Sequence, residues 1–268
     1  MRALLKIGIG LLLLSFVLIG VTYSMLKAYG STSPTSTAGR SLGGETRKVD
    51  AMAVTVALDG PIDLTLTQGP TASLKVRGEQ RSLQNIETIQ DGRDLHISTK
   101  GMLLNPRHRL QVELVLPTLE ELTVRSSGDT KVSGFSGDRL ELRLHGSGNV
   151  NFSGRYRDLV AGAHGSGNLQ LNAGSSEHVE LELVGSGEIK SSGSCKTLDA
   201  QLTGSGDLDA RHLAADKVTV DLKGSGTTHV FAKQAADLTL RGSGDIRVLG
   251  NPDQRNVNRS GSGDVTWE

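Results

Sequence analysis

Eight serines recur along the second half of the chain at nearly constant distance: Ser127, Ser147, Ser166, Ser186, Ser205, Ser225, Ser243 and Ser262, separated by 20, 19, 20, 19, 20, 18 and 19 residues. Seven of them sit in Gly-Ser-Gly, and the first sits in Ser126-Ser127-Gly128. Behind the tripeptides stand Asp129, Asn149, Asn168, Glu188, Asp207, Thr227, Asp245 and Asp264. Serine beside a carboxylate invites a nucleophile reading, but the hydrolase elbow needs Gly-x-Ser-x-Gly on a strand-to-helix turn, and eight equivalent serines point to structure. A phosphate loop fails too, because no Lys-Ser/Thr follows and no helix opens behind the glycines. Calcium is the remaining chemistry, since stacked repeats would bring Glu188 beside Asp207 and Asp245 beside Asp264. Calcium-binding solenoid repeats have a nine-residue period and several oxygen ligands per site, whereas here Asn149, Asn168 and Thr227 interrupt the acidic column. A solvated column is expected instead.

Two histidines, His145 and His164, precede consecutive tripeptides and are expected side by side on the exterior. Such a pair could hold a metal or move protons. The equivalent positions elsewhere carry Arg125, Val184, Thr203, Lys223, Arg241 and Ser260, the variety of a permissive exposed column. Cys195 is the only cysteine, so it can form neither an internal disulfide nor a multi-thiolate metal site, and its mid-chain place excludes a lipoprotein anchor. It is expected in a connection within Gly193-Ser194-Cys195. The residues therefore predict no catalytic, metal or cofactor-binding site, and a protein that is not an enzyme.

The elements that carry these residues follow from the flanks. Before the tripeptides stand Leu142 and Leu144, Leu181 and Leu183, Val220 and Leu222, Leu238 and Leu240, alternating with polar residues such as Glu141, Arg143, Asp221 and Lys223. After them come Val150 and Phe152, Leu169 and Leu171, Ile246 and Val248, Val265 and Trp267. Period-two alternation means strands with one buried face. Helix is excluded by paired glycines in every repeat, each costing about 1 kcal/mol against alanine. A unit of this size cannot bury its apolar face alone, but stacked copies make a continuous core. The prediction is an all-β fold: a parallel β-helix over 119–268, with about eight coils of 19–20 residues. Leu142, Ala161, Leu181, Ala200, Val220, Leu238 and Val257 would form one interior column. Two placements of the glycines stay open: both pointing inward where no side chain fits, or a corner that needs positive φ. Arg255, Arg259 and Trp267 suit a terminal turn that meets water.

Residues 45–118 lack the tripeptide but keep alternating runs: Met52, Val54, Val56 and Leu58, then Ile62, Leu64 and Leu66, then Leu74 and Val76, punctuated by Gly60-Pro61 and Gly69-Pro70. Leu95 with Ile97, and Leu110, Val112, Leu114 and Leu116, extend the pattern. This part is expected to be an all-β segment that covers the open first coil, because a bare strand edge invites association.

The leader speaks to compartment. Arg2 and Lys6 precede an uncharged run, Ile7 to Leu26, which reads as an export signal within residues 1–30 and is also long enough to serve as a membrane anchor through residues 7–26. The basic flank puts everything after it outside. Residues 31–44, STSPTSTAGRSLGG, read as a flexible tether. Lys plus Arg and Asp plus Glu both number 29, so no global field favours nucleic acid.

Taken with this leader, Ile62-Asp63-Leu64-Thr65-Leu66-Thr67-Gln68-Gly69, Asp91-Gly92-Arg93-Asp94-Leu95-His96-Ile97, Leu114-Val115-Leu116-Pro117 and the repeated Gly-Ser-Gly-Asp resemble the bacterial head GIN domain over about residues 49–268. That family is described as heads of autotransporter adhesins. The resemblance implies an exported β-helical envelope protein, in the periplasm, anchored at the inner membrane or displayed at the surface. No set of roughly ten-residue barrel strands follows the repeats, a departure from a complete autotransporter. The expected function is non-catalytic, adhesin-like or structural, with an envelope protein or glycan as partner. The alternative is a polysaccharide-binding or polysaccharide-processing β-helix, and ice binding by a flat ladder is a remote third.

Overall fold

The computed structural model describes residues 41–101 and 109–268. The expected leader and nearly all of the expected tether lie outside the described residues. The tether's last part does not: β1 spans Leu42–Arg47, so the first strand begins three residues before the folded part was expected to start.

From Asp129 onward each repeat forms one turn of a right-sized parallel solenoid. The long strands are β9 (Asp129–Gly146), β10 (Asn149–Gly165), β11 (Asn168–Gly185), β12 (Glu188–Gly204), β13 (Asp207–Gly224) and β14 (Thr227–Gly242), the seventh turn is split into β15 (Asp245–Leu249) and β16 (Gln254–Gly261), and β17 (Val265–Trp267) starts a further rung stacked on β15. Eight tripeptides thus delimit seven turns, which at about 4.8 Å each make a rod of roughly 34 Å. The two short strands expected in each repeat run into each other around a bend, and the bend is where the register slips, as between Ser153 and Asp158 against β11. The first half of each turn stacks on first halves to make one sheet face and the second half on second halves to make another, with a short paired stretch at the bend between them, and the buried side chains of all of them meet in one core.

The predicted column exists in register: Leu142, Ala161, Leu181, Ala200, Val220, Leu238 and Val257 are successive partners. All but Val257 are buried. Beside it Leu144, Ala163, Leu183, Leu202, Leu222 and Leu240 form a second column of the same kind. Large and small side chains alternate irregularly within these columns, which lets neighbouring layers interdigitate to native density. Aromatic rings fill the interior at and beside the bend of the first turns: Phe135, Phe152 and Tyr156 are buried, and the Tyr156 hydroxyl donates to the Leu119 carbonyl at 2.8 Å.

The N-terminal strands are β2 (Thr55–Asp59), β3 (Ile62–Gln68), β4 (Ser73–Glu79), β5 (Ile86–Asp91), β6 (Asp94–Thr99), β7 (Leu110–Leu116) and β8 (Glu121–Arg125), with one helical turn, α1 (Gln80–Leu83), between β4 and β5. They lengthen the rod before they close it. In one sheet β8, β2 and β6 add parallel rungs beyond β9, so the interior column runs on through Leu122, Val56 and Leu95. In the other sheet β3 and β7 do the same. Only then does the direction reverse: β4 and β1 are antiparallel additions to one sheet, and β5 to the other. Leu83 of α1 is buried against this end, in van der Waals reach of Gly43. At the opposite end Arg255, Val257 and Arg259 occupy the column positions above Ala236, Leu238 and Leu240, and every residue of β16 is exposed. Arg255 lies over the Trp267 ring, 4.6 Å from its centre, and so covers the last interior layer with a charge that reaches water.

Candidate functional site

The tripeptides make one corner of every turn, and their two glycines are required for different reasons. Gly204 has φ of +125°, a conformation that a side chain strains. Gly206 has no such φ but is buried, and a Cβ there would lie 2.5 Å from the Gly187 carbonyl oxygen of the preceding turn and 2.8 Å from Leu183 Cδ2. The two placements left open by the sequence are therefore both realised, one by each glycine. The serines between them, from Ser127 to Ser262, are all exposed and form a straight hydroxyl column, with Ser262 Oγ donating to Ser243 Oγ at 3.1 Å.

Next to the serines runs the acid and amide column. Its groups bind the neighbouring rung: Asn149 Nδ2 donates to Asp129 Oδ1 at 2.8 Å, and Asn168 Nδ2 to Asn149 Oδ1 at 3.0 Å. Asp207 Oδ1 accepts the Thr227 N–H at 2.8 Å, and Asp245 Oδ1 accepts the Asp264 N–H at 3.2 Å. Glu188 does stand opposite Asp207, but Glu188 accepts Lys190 Nζ at 2.9 Å. The Asp129, Asp207 and Asp245 carboxylates thus tie turn to turn, while Glu188 pairs within its own strand. Among the described residues no group of three or more His, Cys, Asp and Glu side chains is placed to hold a metal ion.

His145 and His164 are side by side, their ring centres 5.1 Å apart and inclined at 34°. His164 Nε2 is 3.5 Å from Glu182 Oε2. Partial burial lowers the pKa of His145, and the neighbouring His164, Arg125 and Arg143 lower it further, so a proton is unwelcome there. Cys195 is not in a connection. It lies within β12 and is buried, because its side chain points inward from the bend. Burial, with Asp216 adding to it, pushes its pKa up to about 12, which makes it a neutral interior thiol and a poor nucleophile.

One exterior feature is not visible in the tripeptide period. Along the bend, Asp138, Arg157, Glu177, Lys196, Asp216 and Lys233 occupy one column with charge alternating at every turn. Neighbours pair as Arg157 with Asp138 at 3.4 Å, Lys196 with Glu177 at 2.6 Å and Lys233 with Asp216 at 3.0 Å. The spacings of 19, 20, 19, 20 and 17 residues carried the signal, but only an alignment anchored on the bend, where the register slips, would reveal it. Beside this column the bend opens into a cleft of about 460 Å³.

Solved structures share this architecture. A protein named "putative lipid binding protein" from Parabacteroides distasonis ATCC 8503 is 25% identical, with a TM-score of 0.77 over 84% of this chain and 97% of its own. Two proteins named "putative adhesin", from Parabacteroides distasonis ATCC 8503 and Parabacteroides merdae ATCC 43184, are 22% and 20% identical. Each has a TM-score of 0.78 over 85% of this chain and 97% and 96% of its own, a likeness of fold alone. Among curated proteins none matches. Residues 54–252, which hold the N-terminal rungs and all but the last tripeptide, match the family described as "Putative auto-transporter adhesin, head GIN domain", and the chain belongs to that family.

Proposed function

We propose that this protein is a non-catalytic exported component of the bacterial envelope, adhesin-like or structural, in which a rigid β-helix presents polar ladders to a partner. The observation that carries the reading is the exposed serine column, repeated at every corner and flanked by acid and amide groups whose hydrogen bonds fix their spacing. A surface repeated at about 4.8 Å suits a partner with its own repeat, and it is held in place before contact, which lowers the ordering cost of binding. Membership of the adhesin-head family supports export to the envelope. A glycan partner is less favoured than a protein, because Phe135, Phe152 and Tyr156 are spent in the interior and offer sugars no stacking platform.

The test is in-cell cross-linking of the full chain in intact bacteria, comparing the parent with a variant carrying Ser166→Lys, Ser186→Lys, Ser205→Lys and Ser225→Lys. A defined cross-linked partner that the variant loses while its circular dichroism is unchanged supports the reading. Identical cross-links for the two proteins would refute the ladder as the contact surface. Turnover of an acidic polysaccharide by the parent would refute the non-catalytic assignment, and saturable binding to phosphatidylglycerol vesicles that the serine variant loses would replace the protein partner with a lipid, the class that the name of one Parabacteroides distasonis neighbour gives for that protein.

A further inference from the structure

We infer that the cleft along the bend, between Arg155, Ser175 and Lys196, binds an anionic group of the phosphate or sulfate type. This corner of the rod is separate from the serine corner, so the inference stands or falls independently of the proposed ladder surface.

The charge of the cleft is the first argument. Arg155, Arg157, Lys196 and Lys233 line it against only Glu177 and Asp216, on a chain whose formal charge is zero. The second is how those charges are used. Arg157, Lys196 and Lys233 each have a carboxylate within 4 Å, but among the described residues Arg155 has none. The exposed Arg155 stem lies across the next turn at Gly174, where a Cβ would come within 3.2 Å of Arg155 Cγ. A side chain at 174 would crowd the arginine stem, and the exposed Ser175 next to it lines the same cleft as the planar, always-charged Arg155.

The floor is the third argument. Tyr156, Ser176 and Cys195 close it and are buried, and the Cys195 thiol is neutral because its pKa is raised to about 12. No negative charge on the floor opposes an anion. Lys196 and Lys233 are each balanced by the carboxylate they pair with, so the uncompensated charge at the cleft is that of Arg155, and a guanidinium with a hydroxyl lining the same cleft is a donor set that tetrahedral oxyanions accept. Such an oxyanion could belong to a sulfated glycan or to a phospholipid headgroup.

The experiment follows the backbone N–H resonances of Gly174 and Ser175, which the Arg155 and Lys75 variants both retain, in the full-length chain in zwitterionic detergent. The probes are a sulfated heparin hexasaccharide against its desulfated form, and phosphatidylglycerol against phosphatidylcholine in bicelles. The expected result is a saturable shift with at least one anionic probe and none with its neutral counterpart. Arg155→Ala should weaken binding about tenfold or more, the loss expected for one charge-assisted contact, while Lys75→Ala, on distant β4, leaves it unchanged. Arg155 is exposed, and urea unfolding of the variant checks that the fold persists. A shift with the sulfated sugar alone identifies a glycan source, with phosphatidylglycerol alone a lipid source, and with both the oxyanion itself. Absence of binding by either anionic probe, equal shifts with the neutral probes, or an Arg155→Ala affinity equal to that of Lys75→Ala overturns the inference.

Discussion

A Cβ atom on Gly206 would lie 2.5 Å from the carbonyl oxygen of Gly187, one turn below, closer than carbon and oxygen approach without displacement of the backbone. The same relationship joins each second glycine of the tripeptides to its predecessor, so the corners stack only because that position has no side chain. Gly206→Val should therefore destabilise the rod by at least about 1–3 kcal/mol, the usual cost of overpacking or strain. Ser205→Ala removes an exposed hydroxyl and should change stability by no more than about 0.5 kcal/mol. Urea unfolding of the two variants gives the comparison, and a more damaging Ser205→Ala would mean that the serine column is structural rather than presented.

The first tripeptide begins with Ser126 where the other seven begin with glycine. Ser126 stacks on the irregular Gly60-Pro61 corner, and its buried hydroxyl donates to the Ile62 carbonyl at 3.2 Å and accepts the Gly128 N–H at 2.8 Å. Restoring the repeat with Ser126→Gly should thus weaken the protein by about 1–3 kcal/mol, because two buried backbone groups lose their partner. The chemical-denaturation midpoint measures this, and an unchanged or raised midpoint would contradict it.

Much of the rod was legible from the tripeptide period and the alternation beside it, because a stacked column repeats one environment and so selects one residue class. Leu142 to Leu238 show this directly. The N-terminal strands were legible as strands but not in their placement. Gly60-Pro61 reads locally as a turn between adjacent strands, yet it is a solenoid corner that sends β2 and β3 to different sheets, where each pairs with segments some forty to seventy residues away. Sequence spacing holds no record of that interleaving. The His145 and His164 pair was legible because it lies in the regular half of the turn, whereas the alternating charges and the burial of Cys195 lie at the bend, where the length of the connection varies.

The histidine pair gives the rod a pH dependence of defined sign. His145 has a lower pKa in the folded protein than the 6.5 of an unperturbed histidine, through burial and then the charges of His164, Arg125 and Arg143. Below neutrality the unfolded chain therefore binds more protons than the folded one, and stability falls as the pH drops through 6.5 toward the folded value. Urea midpoints for the parent should decline between pH 7.5 and 5.5, and His145→Gln should flatten part of that decline. A midpoint that rises on acidification over this range, or an identical slope in the variant, would show that the pair does not act this way.

Cys195 converts the stacking of the bend into a measurable rate. A thiol reacts through its thiolate, and a pKa of about 12 leaves roughly one molecule in ten thousand ionised at pH 8, against about one in ten for an unfolded cysteine near its ordinary value of 9.0. Ionisation alone thus slows alkylation about a thousandfold, and a side chain that is only 4% exposed slows it further. Iodoacetamide should leave the folded chain nearly unmodified at pH 8 and label it fully in denaturing urea. Because the thiol is reached only when β12 separates from its neighbours, the labelling rate below the unfolding midpoint reports opening of the central turns. Gly206→Val, which disturbs the corner next to β12, should raise that rate, while Ser126→Gly, several turns away beside the N-terminal rungs, should raise it less. Rapid labelling of the parent in the absence of urea would place Cys195 at the surface and remove the neutral floor on which the anion cleft depends.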